Sequence, residues 1–310
     1  MKFLQPIQLT VSISARRFEL QPGQLAPEPD GMLDRLTQCL DQLPLLMDLC
    51  LVGNDAIASP RLPEIVKECS ARSIALSVDT WCQVETDSIS TSTLANISQV
   101  RVYLLSSCAE KNDSIVGSRG HFARVLTWLA YLKSSGVKSI VLVIPLLESN
   151  SEEIESFIQI AQELGCRLNL FPVPLSAGGV DALTRRSFWF CSELFQQLDT
   201  VYPRVMLWSS MLGPKNNNYS CPALCGIQLH LDLKSGKVFP CRWSQQQIGC
   251  FDREPLIQIY ARWRLATDQN RPAGCCSCKD WERCLGGCLG NRQTLDCRDA
   301  YCERTKDMTC

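Results

Sequence analysis

The sequence predicts an α/β chain, with a partial (β/α)6 barrel over residues 1–205 and a small cysteine-rich region over residues 206–310. Three observations predict it. Short apolar, β-branched runs alternate with helical patterns through the first two-thirds of the chain, the signature of repeated βα units on a parallel sheet. Residues 203–220, with Pro203, Gly213-Pro214 and the polar run Asn216–Asn218, read as a connection. Beyond that connection apolar runs become scarce and cysteines crowd together.

The elements follow in order. Strands are expected at Ile7–Ile13, Leu46–Val52, Ile74–Val78, Val100–Leu105, Ile140–Ile144 and Leu168–Val173. Each is short, apolar and bounded by turn residues, as a buried parallel strand should be. Helices are expected at Met32–Leu43, Leu62–Arg72, Phe122–Lys133, Glu152–Leu164 and Val180–Leu198. Six strands with crossover helices suit an open barrel with right-handed connections, whose functional end lies at the C-terminal ends of the strands. Past the connection, Ile227–Leu233 alternates as a strand, Gly236-Lys237 marks a turn, and Val238-Phe239 returns, forming a hairpin with Cys225 at its start and Cys241 at its end.

Composition removes several function classes. The 310 residues carry 31 basic and 32 acidic side chains, a net charge of -1, so there is no electrostatic case for nucleic acid or an anionic membrane. Two histidines, His121 and His230, argue against a histidine-based metal site or triad. His230 reads as a polar or partly buried strand position, and His121 as a surface residue at a helix start. No apolar run approaches a membrane span, and the N-terminus has neither an apolar core segment nor a small-residue cleavage site. A cytoplasmic location is expected.

The anomaly is 19 cysteines. Seven lie in residues 1–205 (Cys39, Cys50, Cys69, Cys82, Cys108, Cys166 and Cys191), scattered through apolar stretches, and read as small buried hydrophobes. Twelve lie in residues 206–310. Their order is regular. Cys275, Cys278, Cys284 and Cys288 form C-x2-C-x5-C-x3-C. Upstream, Cys225, Gly236 and Cys241 form C-x10-G-x4-C, with Cys221 just before. Cys297, Cys302 and Cys310 close the chain. A disulfide framework needs an oxidising compartment. Structural zinc and iron–sulfur clusters both take four thiolates per site, and spacing alone leaves these two open. A region so poor in apolar residues needs staples to be stable, which metal clusters provide.

This array resembles the SPASM domain of radical SAM peptide-maturation enzymes, whose pattern is C-x9–15-G-x4-C, then C-x2-C-x5-C-x3-C, then a final cysteine. The stretch Asp299-Ala300-Tyr301-Cys302 resembles the closing cysteine, Gly286-Gly287-Cys288 the glycine-rich turn, and Leu256–Tyr260 the short helix between the motifs. The resemblance implies two [4Fe–4S] clusters. One would take Cys221, Cys225, Cys241 and Cys288, the other Cys275, Cys278, Cys284 and Cys302. Cys297 rivals Cys302, and Cys250, Cys276 and Cys310 are left out.

Residues 1–205 resemble, more weakly, the radical SAM partial barrel, through Ser118–Phe122, the helix to Leu132 and Gly136-Val137. The family's C-x3-C-x2-C is absent from the loop after the first strand, Ser14–Gln24, and from all of residues 1–205. The family's Gly-Gly-Glu-Pro, which receives the SAM amino group, is here Gly53-Asn54-Asp55-Ala56. The resemblance therefore implies a degenerate barrel that binds no SAM and cleaves none. It implies a non-catalytic iron–sulfur companion, similar to the SPASM-only proteins of systems such as the GeoRSP type. Its partners would be an active radical SAM maturase, a precursor peptide, or both. Two alternatives remain. One is an enzyme using an auxiliary cluster with an open iron. Asp55 and Asp79 would stand near its active strand ends, though both read first as caps of the following helices. The other is a structural zinc scaffold. Trp243, Trp263 and Trp281, near the cysteines, would shield clusters or form a small local core.

Overall fold

A computed structural model gives the fold and describes residues 5–13, 31–53, 55–175, 181–202, 205–207, 221–269, 271–272, 275–279, 281–292, 296–297 and 299–302. The barrel strands are β1 (Gln8–Ser12), β2 (Asp48–Val52), β3 (Ala75–Thr80), β4 (Gln99–Tyr103), β5 (Ile140–Leu146), β6 (Arg167–Pro172) and β7 (Met206–Leu207). Between them lie α1 (Met32–Asp41), α2 (Leu62–Ala71), α3 (Thr91–Ala95), α4 (Ala109–Val116), α5 (His121–Ser134), α6 (Ile154–Leu164) and α7 (Arg185–Val201). The C-terminal part adds β8 (Gln228–Asp232), β9 (Lys237–Phe239), β10 (Gly249–Cys250), α8 (Leu256–Gln269) and the single turn α9 (Trp281–Cys284).

All six expected strands form, each pairing in parallel with its sequence neighbour. β7 is a short seventh strand beside β6. Three helix readings need correction. α3 and α4 lie where none was expected. α3 is one turn, started by the Ser90 hydroxyl accepting the Thr93 N–H. α4, with the sequence AEKNDSIV, has too few apolar residues to show a stripe. The last barrel helix starts at Arg185, where the Thr184 hydroxyl accepts the Ser187 N–H, and the expected start at Val180 lies outside the described residues.

The sheet does not stop at residue 205. β8 pairs in parallel with β1 over its whole length, Gln8 opposite Gln228 and Ser12 opposite Asp232. β9 and β10 then add antiparallel to it, giving the order β10-β9-β8-β1-β2-β3-β4-β5-β6-β7. α1 straps the junction. Arg35 donates to the Leu233 carbonyl and pairs with Asp252, and the Gln42 side chain accepts the Leu256 N–H at the start of α8. One hydrophobic core runs through both parts, from Leu9, Leu36 and Leu51 to Leu229, Leu231, Ile259 and Trp263.

Each strand has two unlike faces, because side chains alternate across a sheet. Leu9, Val11, Leu49, Leu51, Leu76, Val78, Val100 and Val102 pack with the helices and are sealed. The alternate positions look into the barrel. There, Thr10, Cys50, Ser77 and Arg101 are only half-buried in mid-strand, so water reaches the interior. Towards β5 and β6 the interior turns apolar, with Tyr103, Val141, Val143 and Phe171 in a second core under Trp81, Leu147 and Val173. Among the described residues no helix is long and apolar enough to cross a membrane.

Leu229 is fully buried on β8 within the shared core. Leu229→Ala is expected to cost about 2–5 kcal/mol. Urea unfolding followed by far-ultraviolet dichroism should show one transition at lower denaturant, without early melting of the C-terminal part.

Candidate functional site

The cysteine-rich part is built on α8. Tyr260 donates to the Gly226 carbonyl at 2.9 Å, Trp263 Nε1 to the Ala223 carbonyl at 3.2 Å, and Arg264 to the Leu224 carbonyl at 2.5 Å. These bonds clasp the turn at 221–226, in which the Cys225 N–H donates to the Cys221 carbonyl at 2.9 Å. The expected short helix at Leu256–Tyr260 is thus a 14-residue helix whose inner face holds the first two cysteines. Trp263 belongs to the core. Gly236, at φ +66°, turns β8 into β9 where the Asp252 carboxylate fills the space a side chain would need.

Cys221, Cys241 and Cys288 come together. Burial pushes the Cys241 thiol up to about 12, and the neighbouring Cys221 thiol adds to the rise. Cys288 is also pushed well up, by burial first and then by Cys221, Asp299 and Cys241. Two desolvated thiols, Cys241 and Cys288, near a third at Cys221 carry charge only if a cation offsets it, and a metal deprotonates its thiol ligands outright. Backbone amides already serve these sulfurs: Trp243 and Ser244 donate to Cys241, and Gly290 to Cys288. Such bonds tune thiolate-held clusters.

The other predicted ligands lie in consecutive turns. Cys275 is buried, and the Cys278 N–H donates to its carbonyl at 3.1 Å. The Trp281 N–H donates to Cys278, opening α9, which ends at Cys284. Arg271 donates to the Cys275 carbonyl at 2.9 Å and lies over the Trp281 ring. Cys284 is raised by burial and then, after the opposing Gly286 amide, by Cys302. Cys302 is thus close enough for its charge to act on the Cys284 thiol. Among the described residues no three Cys, His, Asp or Glu side chains draw together around a single ion. A tetrahedral zinc would hold its sulfurs about 3.8 Å apart, from its bond length of about 2.3 Å. A four-iron cube takes its thiolates at its outer corners, farther apart. Thiolates at these positions are a donor set that zinc and iron–sulfur clusters both accept.

Asp299 joins the two sets. Its carboxylate accepts the Cys288 N–H at 2.7 Å and the Tyr301 N–H at 2.8 Å, and its carbonyl accepts the Cys302 N–H at 3.0 Å. Gly287, at φ +87°, leaves the room it occupies. The segment docks on the barrel through Tyr301, which stacks on Phe188 at 4.2 Å and donates to the Leu183 carbonyl, and through Arg185 on the Cys302 carbonyl.

The barrel mouth corrects several expectations. Asp55 caps nothing. It accepts Thr80 Oγ1, the Trp81 N–H and the Gln83 N–H, and staples the end of β3 to the end of β2. Burial pushes its carboxyl up to about 6 against those bonds. Asp79 is no cap either. It lies under Arg101, Tyr103 and Arg242 inside the barrel. His121 is fully buried, not at the surface, held between Asn112 and the Trp81 carbonyl, and burial lowers its pKa. His230 is also fully buried, with Nε2 3.4 Å from the Ser12 hydroxyl. Trp243 packs on Phe171 in the barrel interior rather than in a separate small core. Of the seven N-terminal cysteines, Cys50 is half-buried and Cys108 exposed, and the other five are sealed as expected. Arg101 and Arg242 were missed. The signal available was a lone charge between Val100 and Val102 on a strand that otherwise reads as buried.

No protein-family model and no curated protein sequence matches the chain. Solved structures do. Streptococcus suis SuiB bound to precursor peptide SuiA aligns with a TM-score of 0.75 at 14% identity, over 97% of this chain and 77% of that one. SuiB bound to S-adenosylmethionine gives 0.73 at 14%, over 97% and 76%, and SuiB itself 0.69 at 15%, over 97% and 78%. At these identities the likeness is one of fold: a mixed α/β chain with a parallel-sheet core like that of SuiB.

The Asp55 carboxyl has a pH consequence. Its folded value of about 6 lies above the ordinary 3.8, so the fold holds the proton more tightly than the unfolded chain does. The contribution is present in full below about pH 4 and is lost as pH rises through 6. The difference in stability between the wild type and Asp55→Asn, from urea unfolding across that window, should move against the wild type as pH rises. A flat difference would show an unshifted carboxyl.

Proposed function

We propose that this chain is a SAM-independent iron–sulfur companion of a radical SAM peptide-maturation system. It would carry electrons, present the peptide, or both. The carrying observation is a mismatch within one chain: the cysteine array of residues 221–302 is kept, while C-x3-C-x2-C is missing from residues 1–205. Two further points support the reading. Asp55 stands where the family receives the SAM amino group, and its carboxylate is committed to β3. The fold also extends over a protein that binds a precursor peptide.

On this reading Cys221, Cys225, Cys241 and Cys288 hold one [4Fe–4S] cluster, and Cys275, Cys278, Cys284 and Cys302 hold the other. The region 206–310 is then a SPASM domain. Such clusters supply one-electron transfer. The chain's own part is to fix the sulfurs. α8 sets Cys221 and Cys225, the amides of Trp243 and Ser244 hold Cys241, and Asp299 locks Cys288 to Cys302. Four cysteines at each site leave no iron open for substrate, which favours the companion over an enzyme with an open auxiliary cluster.

Protein purified without oxygen should contain about eight irons with matching sulfide per chain. Cys288→Ser should remove roughly half of each. Incubation with SAM and a strong reductant should release no 5′-deoxyadenosine. Zinc without sulfide would remove the electron-transfer role, and 5′-deoxyadenosine above the background of the Cys288→Ser variant would overturn SAM independence.

A further inference from the structure

Three peptide carbonyls in a row separate the two predicted cysteine sets, and Arg292 and Asp299 hold them. Residues 285–287 link Cys284, of one set, to Cys288, of the other. All three are left-handed, Leu285 at φ +48°, Gly286 at +84° and Gly287 at +87°. Leucine rarely adopts that backbone, so the turn needs holding. Arg292 Nη2 donates to the Leu285 carbonyl and, at 3.2 Å, to the Gly287 carbonyl. The Asp299 N–H donates to the Gly286 carbonyl between them at 3.2 Å. A side chain at Gly286 would collide with the Arg292 guanidinium, so the turn is moulded on that group.

Arg292 is only 8% exposed. Its Nε is buried and has no acceptor among the described residues. Its charge acts on two neighbours. One is the Asp299 carboxylate, which also accepts the Cys288 and Tyr301 amides. The other is Cys284: burial, Cys302 and Asp299 raise that thiol, and the Gly286 amide and Arg292 pull it down. A second cation stands by the same cysteine set. Arg271 donates to the Cys275 carbonyl at 2.9 Å, but it is exposed. Water and salt screen an exposed charge far more than a buried one. Reducing an iron–sulfur cluster adds a negative charge to it. A buried cation nearby favours the reduced form, and net charge and hydrogen bonds are levers on such potentials.

We propose that Arg292 raises the reduction potential of the cluster held by Cys275, Cys278, Cys284 and Cys302, through its fixed charge and not only by tying the turn. This role rests on the cluster reading above.

The test uses the full chain, purified without oxygen, with Cys241→Ser as the background that keeps this cluster alone. Iron and sulfide are measured first, then the midpoint potential by a redox titration followed by electron paramagnetic resonance. Arg292→Lys keeps the charge, and Arg292→Gln replaces it with a neutral donor. With Gln, the ratio of reduced to oxidised cluster at a fixed potential should fall roughly tenfold. That is a midpoint about 59 mV lower for one electron. With Lys the ratio should change by less than about threefold, and with Arg271→Gln likewise. Asp299→Asn removes the opposing charge and should raise the midpoint, a direction that a loosened turn would not give. Lys and Gln falling together, a Gln midpoint equal to that of the background, or no rise with Asn would make Arg292 a tie for the turn and overturn the proposal. Full iron and sulfide with an unmoved midpoint removes the role of Arg292 alone. Zinc without sulfide removes the cluster reading and the role with it.

Discussion

The parallel pairing of β8 with β1 is the constraint on which the remaining geometry rests. It makes a cysteine-rich segment with few apolar residues part of a ten-stranded sheet. Leu229 and Leu231 then bury against the barrel's own core, so the region does not have to form a core of its own. The pairing also sets positions. Since β9 returns antiparallel beside β8, with Phe239 opposite His230 and so level with Thr10, the segment after β9 starts part-way along the sheet and not at the C-terminal end of β1. Cys241 faces the other thiols there, and Arg242, its neighbour, reaches Asp79 inside.

Much of the fold was legible because the helix-facing residues of every strand are apolar. The runs from Leu9 to Leu170 follow from that one requirement, and so does the burial of Cys39, Cys69, Cys82, Cys166 and Cys191. The barrel-facing residues obey a different rule. Asp79, Arg101 and Tyr103 are held by one another from neighbouring strands, and Asp79 also by Arg242 from beyond β9; local pattern carries no trace of a partner on another strand. His121 was misread for the same reason. Its neighbours in sequence are polar, but its ring is enclosed by Asn112 and the Trp81 carbonyl. The shared sheet across residue 205 was equally hidden, because alternation shows that residues 227–233 form a strand and not which strand lies beside it.

The cysteines fall between these cases. Their ordered spacing was legible and two four-thiol sets were what the family resemblance implied; in the fold Cys221, Cys241 and Cys288 act on one another's thiols, and Cys302 acts on Cys284. Asp299 was not legible in its role. It was noticed only as part of a closing motif, yet its carboxylate and backbone bind the loop of one set to the loop of the other. The two sets thus form one mechanical unit, docked on α7 through Tyr301 and Arg185.

The same β1–β8 ladder imposes an order on how the molecule is made. β1 is made before every other strand of this sheet, and its partner on one side is not synthesised until residues 228–232. Until then β1 has an open edge, and so does any nascent sheet it starts with β2. Open parallel edges attract other chains, and contacts this distant in sequence form slowly. The barrel therefore cannot finish folding as an N-terminal unit ahead of the rest. A chain stopped short of β8 would present a template for aggregation, and during synthesis it is the arrival of the cysteine-bearing hairpin that closes that edge.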